Sequence, residues 1–388
     1  MSFSRTSFSS LILAVAISGM SQGLIIPLLT ILLANRGISS LANGFNATAL
    51  YLGILLASPW MDIPLRRLGY RKTLLIGLLL VTFSTLLFPL FRSYSIWFGL
   101  RFILGIGDVW LNYASQMWVT AISPPNRRGR NLSIYGLAYG LGFSIGPQGI
   151  LLLPWGVFAP FLAISVIYVV AFILIGRLPN SYPESFTPSA QQENRYISVM
   201  RLAWIALLPA FLYGFMEATL NNSFPIYILR LGLAKDWIPL LLFTFTAGSL
   251  VLQLPLGVWS DRIGRQKVML GCAAVGTLMF ALFPLIGHSF WSMAILFAVA
   301  GGVVGSFYSL GMAFATDILQ PKLVPTFGIL AGIYYSLASI LAPGVNGFIL
   351  DHLPPGLIFA TLALLLALFC GAGFFFRAPQ LQSSADGS

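Results

Sequence analysis

Twelve long apolar stretches, separated by short polar turns, run along the chain. They lie near residues 8–34, 43–61, 73–91, 95–120, 131–152, 157–176, 202–229, 238–259, 268–287, 291–317, 325–349 and 356–376. A stretch of about 20 apolar residues crosses a bilayer as an α-helix, because lipid offers no partner to an unbonded backbone amide. The pattern therefore predicts an all-α integral membrane protein with twelve transmembrane helices. The first stretch is longer than a signal-peptide core, so we interpret it as an uncleaved span.

Composition excludes several classes of protein. Of the 388 residues, 58% are apolar and 8% are charged, whereas a soluble domain carries about 25% charged residues. The formal charge of +11 comes without a basic-aromatic patch, which argues against nucleic acid as a partner. Cys272 and Cys370 lie in apolar stretches and are interpreted as packing residues, and no zinc-type spacing is present. We expect no metal and no cofactor.

The basic residues predict the orientation. With the amino terminus inside, sixteen lie on the cytoplasmic side, four lie on the outer side, and Arg101 lies within the fourth span. The sixteen are Arg5, Arg66, Arg67, Arg71, Lys72, Arg127, Arg128, Arg130, Arg177, Arg195, Arg201, Arg262, Arg265, Lys267, Lys322 and Arg377. The four are Arg36, Arg92, Arg230 and Lys235. This excess predicts a multi-pass protein of the plasma (inner) membrane with both termini in the cytoplasm.

A hydrophilic linker and an internal repeat divide the chain. We predict a first six-helix half over 1–176, a cytoplasmic linker over 177–200, a second half over 201–377 and a cytoplasmic tail over 378–388. The segment that begins at Arg67 recurs at Arg262, an offset of 262 − 67 = 195, and Pro147 recurs as Pro343, an offset of 343 − 147 = 196. Many secondary transporters place a substrate site between such repeats.

The loop after the eighth span resembles a signature of the major facilitator superfamily. It reads Gly257-Val258-Trp259-Ser260-Asp261-Arg262-Ile263-Gly264-Arg265-Gln266-Lys267. The resemblance extends over essentially the whole chain and implies two six-helix halves that transport a solute. In that family this loop holds helix ends in one conformation, which implies a conformational latch at Asp261, Arg262, Gly264 and Arg265. Simple cytoplasmic anchoring is the alternative.

The first copy of this signature is degenerate. It keeps Arg67 and Gly69 and carries Arg71 nearby, but Arg66 stands at the position of the acid, and Asp62 lies one turn earlier. Asp62 and Arg66 have the i, i+4 spacing of a helical ion pair, although Pro64 lies between them. The latch is therefore predicted more firmly in the second copy.

Two further motifs carry the resemblance. Arg101-x-x-x-Gly105-x-Gly107 is similar to an element that the family links to proton movement, with Leu104 where Gln is common. Gly142-x-x-x-Gly146-Pro147 is similar to the antiporter signature of drug-exporting branches, but the closing Gly-Gly of that signature is absent. Close helix packing is the alternative function of these glycines.

Of the ten acids, only Asp108 and Glu217 lie deep within spans, the fourth and the seventh. A charge at the bilayer centre costs at least about 2.5–3.5 kcal/mol, so such residues face a cavity or a partner. Arg101 and Asp108 are seven residues apart and share a helix face, as a relay or as a fixed ion pair. In the seventh span, Tyr213, Glu217 and Asn221 follow at i, i+4 and i+8 and predict one polar ridge. Glu217 has three possible roles there: proton coupling, substrate binding or structure. Further cavity candidates are Gln22, Asn112, Gln116, Tyr139, Asn221, Ser309 and Tyr335.

These features predict a secondary active transporter that works by alternating access. No phosphate-binding loop is present, so protons are the expected energy source. The function we favour is proton-coupled efflux of amphiphilic compounds, and the alternative is proton-coupled uptake or exchange of a polar metabolite such as a sugar. An intramembrane enzyme or lipid-handling protein is remote. The expected partners are a small-molecule substrate, protons and lipid, and the expected state is a monomer.

Overall fold

The computed structural model describes residues 5–124, 127–183, 193–286 and 289–376, and these are helical over most of their length. The helices are α1 (Arg5–Asn35), α2 (Ser40–Ala57), α3 (Asp62–Leu87), α4 (Tyr94–Ile122), α5 (Arg128–Ile145), α6 (Phe158–Gly176), α7 (Glu193–Ala218), α8 (Phe224–Arg230), α9 (Trp237–Ile263), α10 (Arg265–Leu282), α11 (Phe290–Val304), α12 (Phe307–Ile318), α13 (Val324–His352) and α14 (Leu357–Phe375). The predicted tail at 378–388 and the middle of the predicted linker, 184–192, lie outside the described residues.

The predicted spans and the helices correspond, and the all-α membrane fold is confirmed. Among the described residues, eleven segments are long and apolar enough to cross a membrane. The remaining predicted span, 268–287, coincides with α10, which has 18 residues and carries basic side chains in its first turn. Those charges lower its hydropathy without shortening the helix.

Several of the described spans are not continuous α-helices, among them the fifth, the seventh and the tenth. The fifth continues beyond α5 as a 3₁₀ helix over Gly146–Trp155, where Pro147 supplies no N–H to an α-helical ladder. The seventh consists of α7, a π-helical segment over Thr219–Ser223, and α8. Pro225 lies in the first turn of α8, where a missing N–H costs little. The tenth is divided between α11 and α12. Such interruptions are frequent at functional sites.

The chain forms two compact units. The first unit contains residues 1–186, 220–243 and 343–352, and the second contains 187–219, 244–342 and 353–388. The first unit therefore holds α1–α6 together with α8, the start of α9 and the last turns of α13. The division of the seventh span falls inside its π-helical segment, so the two ends of this span belong to different units.

Glycines allow α1 and α5 of the first unit to touch through their backbones. A Cβ atom built on Gly142 would lie 1.9 Å from the carbonyl oxygen of Ala16, and one on Gly146 would lie 2.2 Å from that of Met20. Any side chain at these positions would clash with backbone, which cannot move aside without shifting the helix. Gly142, Gly146 and the neighbouring Pro147, which is also buried, thus serve helix packing in this structure.

Equivalent hydrogen bonds in the two halves support an ancient duplication. Within the first unit, Arg71 Nη1 donates to the carbonyl oxygen of Leu178 at 3.1 Å. Within the second, Gln266 Nε2 donates to that of Gly373 at 2.8 Å. The donors are 266 − 71 = 195 residues apart, and the acceptors are 373 − 178 = 195 apart. The same loop position therefore ties the same helix end in both copies.

Candidate functional site

The carboxyl group of Asp108 is sealed inside the first unit. Its side chain is 1% exposed, and it forms a hydrogen bond with the side chain of Gln22 on α1. Gln22 Oε1 accepts the hydroxyl proton of Tyr139 on α5. The amide group of Gln22 is therefore the donor to Asp108, since its oxygen is already engaged. Asp108 Oδ2 has no hydrogen-bond partner.

Arg101 is equally buried but does not pair with Asp108. It is 2% exposed, and its nearest electrostatic neighbours include Tyr51 and Tyr94. The ion pairs formed by the described residues join other acids, and neither Arg101 nor Asp108 takes part in one. The i, i+7 separation is about 10 Å of helix rise, which the two side chains do not bridge. Nε and Nη2 of Arg101 have no hydrogen-bond partner.

The rest of the polar stripe on α4 has mixed surroundings. Asn112 is half-buried, and its amide group donates to the backbone oxygen of Asp108 at 3.0 Å. Tyr135 on α5 donates to the backbone oxygen of Asn112 at 3.2 Å. Gln116, by contrast, is exposed. The polar residues of α4 are therefore hydrogen-bonded to α5 near Asp108 and Asn112 and exposed at Gln116.

Glu217 lies in a different environment, within the second unit. It is half-buried, and its carboxylate accepts a hydrogen bond from the Tyr335 hydroxyl of α13 at 3.1 Å and another from Tyr213, one turn earlier on α7. The rings of Tyr213 and Tyr335 stack with their centroids 6.3 Å apart. Two tyrosines thus hold the carboxylate of a residue that remains partly exposed.

The predicted ridge Tyr213–Glu217–Asn221 is not continuous. Tyr213 and Glu217 lie on α7 and are hydrogen-bonded, but Asn221 falls in the π-helical segment, where the i, i+4 spacing of an α-helix no longer applies. Asn221 is buried and belongs to the first unit. Only the proline at 225 signalled a change of helix geometry, and it does not specify the type.

One aromatic neighbour of Tyr213 and Tyr335 was not among the sequence candidates. The ring of Tyr308 on α12 lies 6.3 Å from the centroids of both Tyr213 and Tyr335. Its neighbour Ser309, which the sequence did single out, is exposed, and its hydroxyl donates to the backbone oxygen of Ser306 at 2.8 Å. In a chain with 14% aromatic residues, no signal distinguished Tyr308 from the others.

The second copy of the loop signature is centred on Arg265. Its guanidinium group pairs with Asp261 at 3.0 Å and with Asp317 at 2.7 Å, and it also donates to Thr316 Oγ1 at 2.9 Å. Gly264, which joins α9 to α10, has φ +105°, a conformation that favours glycine. Arg262 is exposed. Arg265 therefore links the end of α9, the start of α10 and the end of α12.

The first copy uses other residues. Asp62 and Arg66 pair at 3.8 Å despite Pro64, because α3 begins at Asp62 and a proline is tolerated in the first turn. Asp62 also accepts a hydrogen bond from Tyr113 on α4. Arg67 is exposed. Tyr70 stands at the position of Arg265, so this copy has no arginine that joins three helices.

Asp351, which follows the predicted span 325–349, lies at the end of α13 in a cluster of its own. Its two carboxylate oxygens accept the backbone N–H groups of Ser40 at 3.0 Å and Leu41 at 2.8 Å, at the start of α2. Arg230, the last residue of α8, pairs with Asp351 at 2.5 Å and donates to Ser40 Oγ at 2.8 Å. A carboxylate at a helix start is stabilised by the free N–H groups and the helix dipole. We call Ser40, Leu41, Arg230 and Asp351 the Asp351 cluster.

A six-span unit that occurs twice, helices in direct backbone contact and carboxyl groups within the spans are together typical of a multi-pass membrane transporter. The chain matches the family model described as Major Facilitator Superfamily over residues 11–242 and 206–387. It belongs to that superfamily and is a transporter rather than an enzyme.

Relatives and solved structures agree with this family. The chain is 40% identical to the MFS-type transporter YfkF of Bacillus subtilis (strain 168) over 373 residues, 94% of each chain. It is 23% identical to Multidrug resistance protein 2 of the same organism over 390 residues, again 94% of each. The nucleoside transporter NupG superposes with a TM-score of 0.77 at 12% identity, over 95% of this chain and 99% of that one. A bacterial homologue of the lysosomal transporter Spinster gives 0.66 at 16%, over 96% and 95%.

Proposed function

We propose that the protein exports amphiphilic compounds in exchange for protons by alternating access, with Glu217 as the acid that exchanges the proton. The observation that carries this proposal is the half-buried carboxylate of Glu217, bonded by Tyr213 and Tyr335. An acid at membrane depth that remains accessible is suited to bind and release a proton, because water or substrate can reach it.

The helix that carries Glu217 supports the same interpretation. The π-helical segment at Thr219–Ser223 begins two residues after Glu217. Interrupted helices are typical of transporter binding sites, since their backbone groups and their change of direction are used by the substrate or by the moving parts. The similarity to a relative named Multidrug resistance protein 2 favours export among the possible directions. The orientation predicted from the basic residues, with both termini in the cytoplasm, is part of this proposal.

Two clusters are suited to control the conformational cycle. The Asp351 cluster joins the start of α2, in the first half of the sequence, to the ends of α8 and α13, in the second half. Arg265 and its partners Asp261 and Asp317 join three helix ends at another loop. Movement of the halves requires such contacts to break and re-form, so each stabilises one state of the cycle. This gives the latch a second component that the loop signature did not indicate.

Proteoliposomes with an imposed pH gradient test the coupling. We expect the gradient to drive accumulation of at least one of two probes, neutral chloramphenicol and cationic ethidium, with proton counterflow reported by an internal pH dye. The Tyr334→Phe variant, altered beside the site but not in it, serves as the control. Probe movement that ignores the gradient would contradict proton coupling.

Accessibility measurements test the latches. In a background with Cys272→Ala and Cys370→Ala, a reporter at Ser309→Cys is labelled with a membrane-impermeant thiol reagent from either side. We expect Asp351→Asn and Asp261→Asn to shift labelling in the same direction, because both weaken contacts that are formed together in this structure. Asp236→Asn, an exposed acid without an observed ion pair, is the control. Unchanged labelling in both variants would remove the latch role.

A further inference from the structure

Three tyrosines form a triangle within the second unit. Tyr213 on α7, Tyr308 on α12 and Tyr335 on α13 have ring centroids 6.3 Å apart along every side. Their planes differ, with angles of 28° between Tyr213 and Tyr335, 59° between Tyr213 and Tyr308, and 86° between Tyr308 and Tyr335. The rings therefore form walls in more than one direction rather than a single stack.

A carboxylate completes this group. Tyr213 and Tyr335 both direct their hydroxyl groups to Glu217, which places the negative charge at the edge of the triangle. All four residues are half-buried. A cation on the axis of a triangle with these sides is within about 6 Å of all three ring centroids, the range over which a ring attracts a cation. The carboxylate that accepts the hydroxyl groups of two of these tyrosines supplies a negative charge to the same cluster.

We propose that Tyr213, Tyr308, Tyr335 and Glu217 bind the positively charged group of an organic cation, such as a quaternary ammonium or phosphonium. The inference rests on the proposed export of amphiphilic compounds and adds the charge of the substrate. Weakly hydrated organic cations gain most from aromatic faces. Small metal cations need several oxygen ligands, and this group offers one carboxylate. Proton exchange alone gives no reason for the third ring, that of Tyr308.

Equilibrium binding of radiolabelled tetraphenylphosphonium to the purified full-length protein tests the inference without any gradient. We expect saturable binding, displaced by benzyltrimethylammonium at a much lower concentration than by its neutral isostere neopentylbenzene. We expect Tyr308→Leu to weaken the affinity about tenfold, because it removes a ring face. Tyr308→Phe keeps the face and should bind as the unaltered protein does. Tyr334→Leu, next to the cluster on α13, should also leave binding unchanged.

A graded series guards against a misfolded Tyr308→Leu variant. Phenylalanines with one, two and three fluorine atoms at position 308 keep the ring size but progressively weaken its attraction for a cation. A stepwise fall in affinity along the series supports the inference. It is overturned if the unaltered protein does not bind the probe, if the neutral isostere competes equally well, or if fluorination has no effect.

Failure here is distinguishable from failure of proton-coupled export. Gradient-driven accumulation of chloramphenicol without binding of tetraphenylphosphonium would retain the exporter and overturn the cation site. Cation binding with the expected Tyr308 dependence, but without any gradient-driven flux, would retain the site and overturn the coupling.

Discussion

Asp108 and Glu217 are both carboxyl groups at membrane depth, yet their surroundings are opposite. Asp108 is 1% exposed and receives the amide of Gln22, itself fixed by Tyr139. Glu217 is half-buried and receives two tyrosine hydroxyls beside an interrupted helix. A sealed acid cannot exchange a proton or meet a substrate until its helices move, whereas an accessible acid can do both. This difference is the reason why we propose Glu217 for proton exchange and Asp108 for holding α1 against α4.

The helices that carry the two acids differ in the same way. Asp108 lies in the middle of an uninterrupted α4, next to α1, which meets α5 backbone to backbone at Gly142 and Gly146. Glu217 lies one residue before the end of α7. Regular, closely packed helices resist local change, while a π-helical segment gives a helix a point at which to adjust. The more exposed of the two acids is therefore also the one that lies next to an interrupted helix.

Replacement of each acid by its amide gives the largest expected effects. Glu217→Gln should abolish gradient-driven accumulation of substrate but retain exchange of substrate for substrate, because the proton site is lost while the cavity keeps its shape. Asp108→Asn should slow driven transport and exchange to the same extent, since the amide oxygen still accepts the Gln22 bond. Paired assays of both activities in proteoliposomes distinguish the two patterns. If Asp108→Asn also loses only the driven component, the assignment is wrong.

Thiol accessibility is the next largest contrast. In the background without native cysteines, Glu217→Cys should react rapidly with a small methanethiosulfonate reagent, and Asp108→Cys should react far more slowly. The reason is the difference in exposure between a half-buried and a 1% exposed side chain. Rates are measured on the purified protein by loss of free thiol, with Gln116→Cys as an exposed reference on α4. Equal reaction rates at positions 108 and 217 would show that the two side chains are equally accessible, which would contradict the contrast between them.

Much of the fold could be predicted because lipid imposes simple rules on the sequence. Apolar length and the 195-residue repeat located the spans, and the loop signature identified the family, now confirmed. The interruptions at Thr219–Ser223 and between α11 and α12 could not be predicted, since nothing in apolar periodicity separates an α-helical from a π-helical turn.

The candidate site was predictable in its charges and less so in its partners. Scarcity made Asp108 and Glu217 conspicuous, because few acids occur in the spans. Tyr308 was not conspicuous among many aromatic residues, and Asp351 looked like an ordinary loop acid until its bonds to Ser40 and Leu41 were seen. Partners separated by about 310 residues depend on the fold itself, which local patterns do not specify.

Stability measurements sharpen the contrast further. Gln22→Leu should destabilise the protein by about 1–3 kcal/mol, because a buried acceptor loses its donor and no water can replace it. Unfolding of the purified protein in denaturant measures the change. The double variant Gln22→Leu/Asp108→Leu should recover part of the loss, since the buried acceptor is then removed together with its donor. Additive losses in the double variant would contradict a direct bond between the two side chains.

The smallest expected effect is that of Tyr335→Phe on stability. The variant removes the hydroxyl that bonds Glu217 at 3.1 Å, but the carboxylate keeps its bond to Tyr213 and the residue is partly exposed. The cost should therefore stay near the lower end of the usual range for a hydrogen bond, about 0.5 kcal/mol. The same denaturant unfolding measures it, with Tyr334→Phe as the matched control on α13. A cost as large as that of Gln22→Leu would mean that Glu217 is sealed like Asp108, and the separation of an exchanging acid from a holding acid would fail.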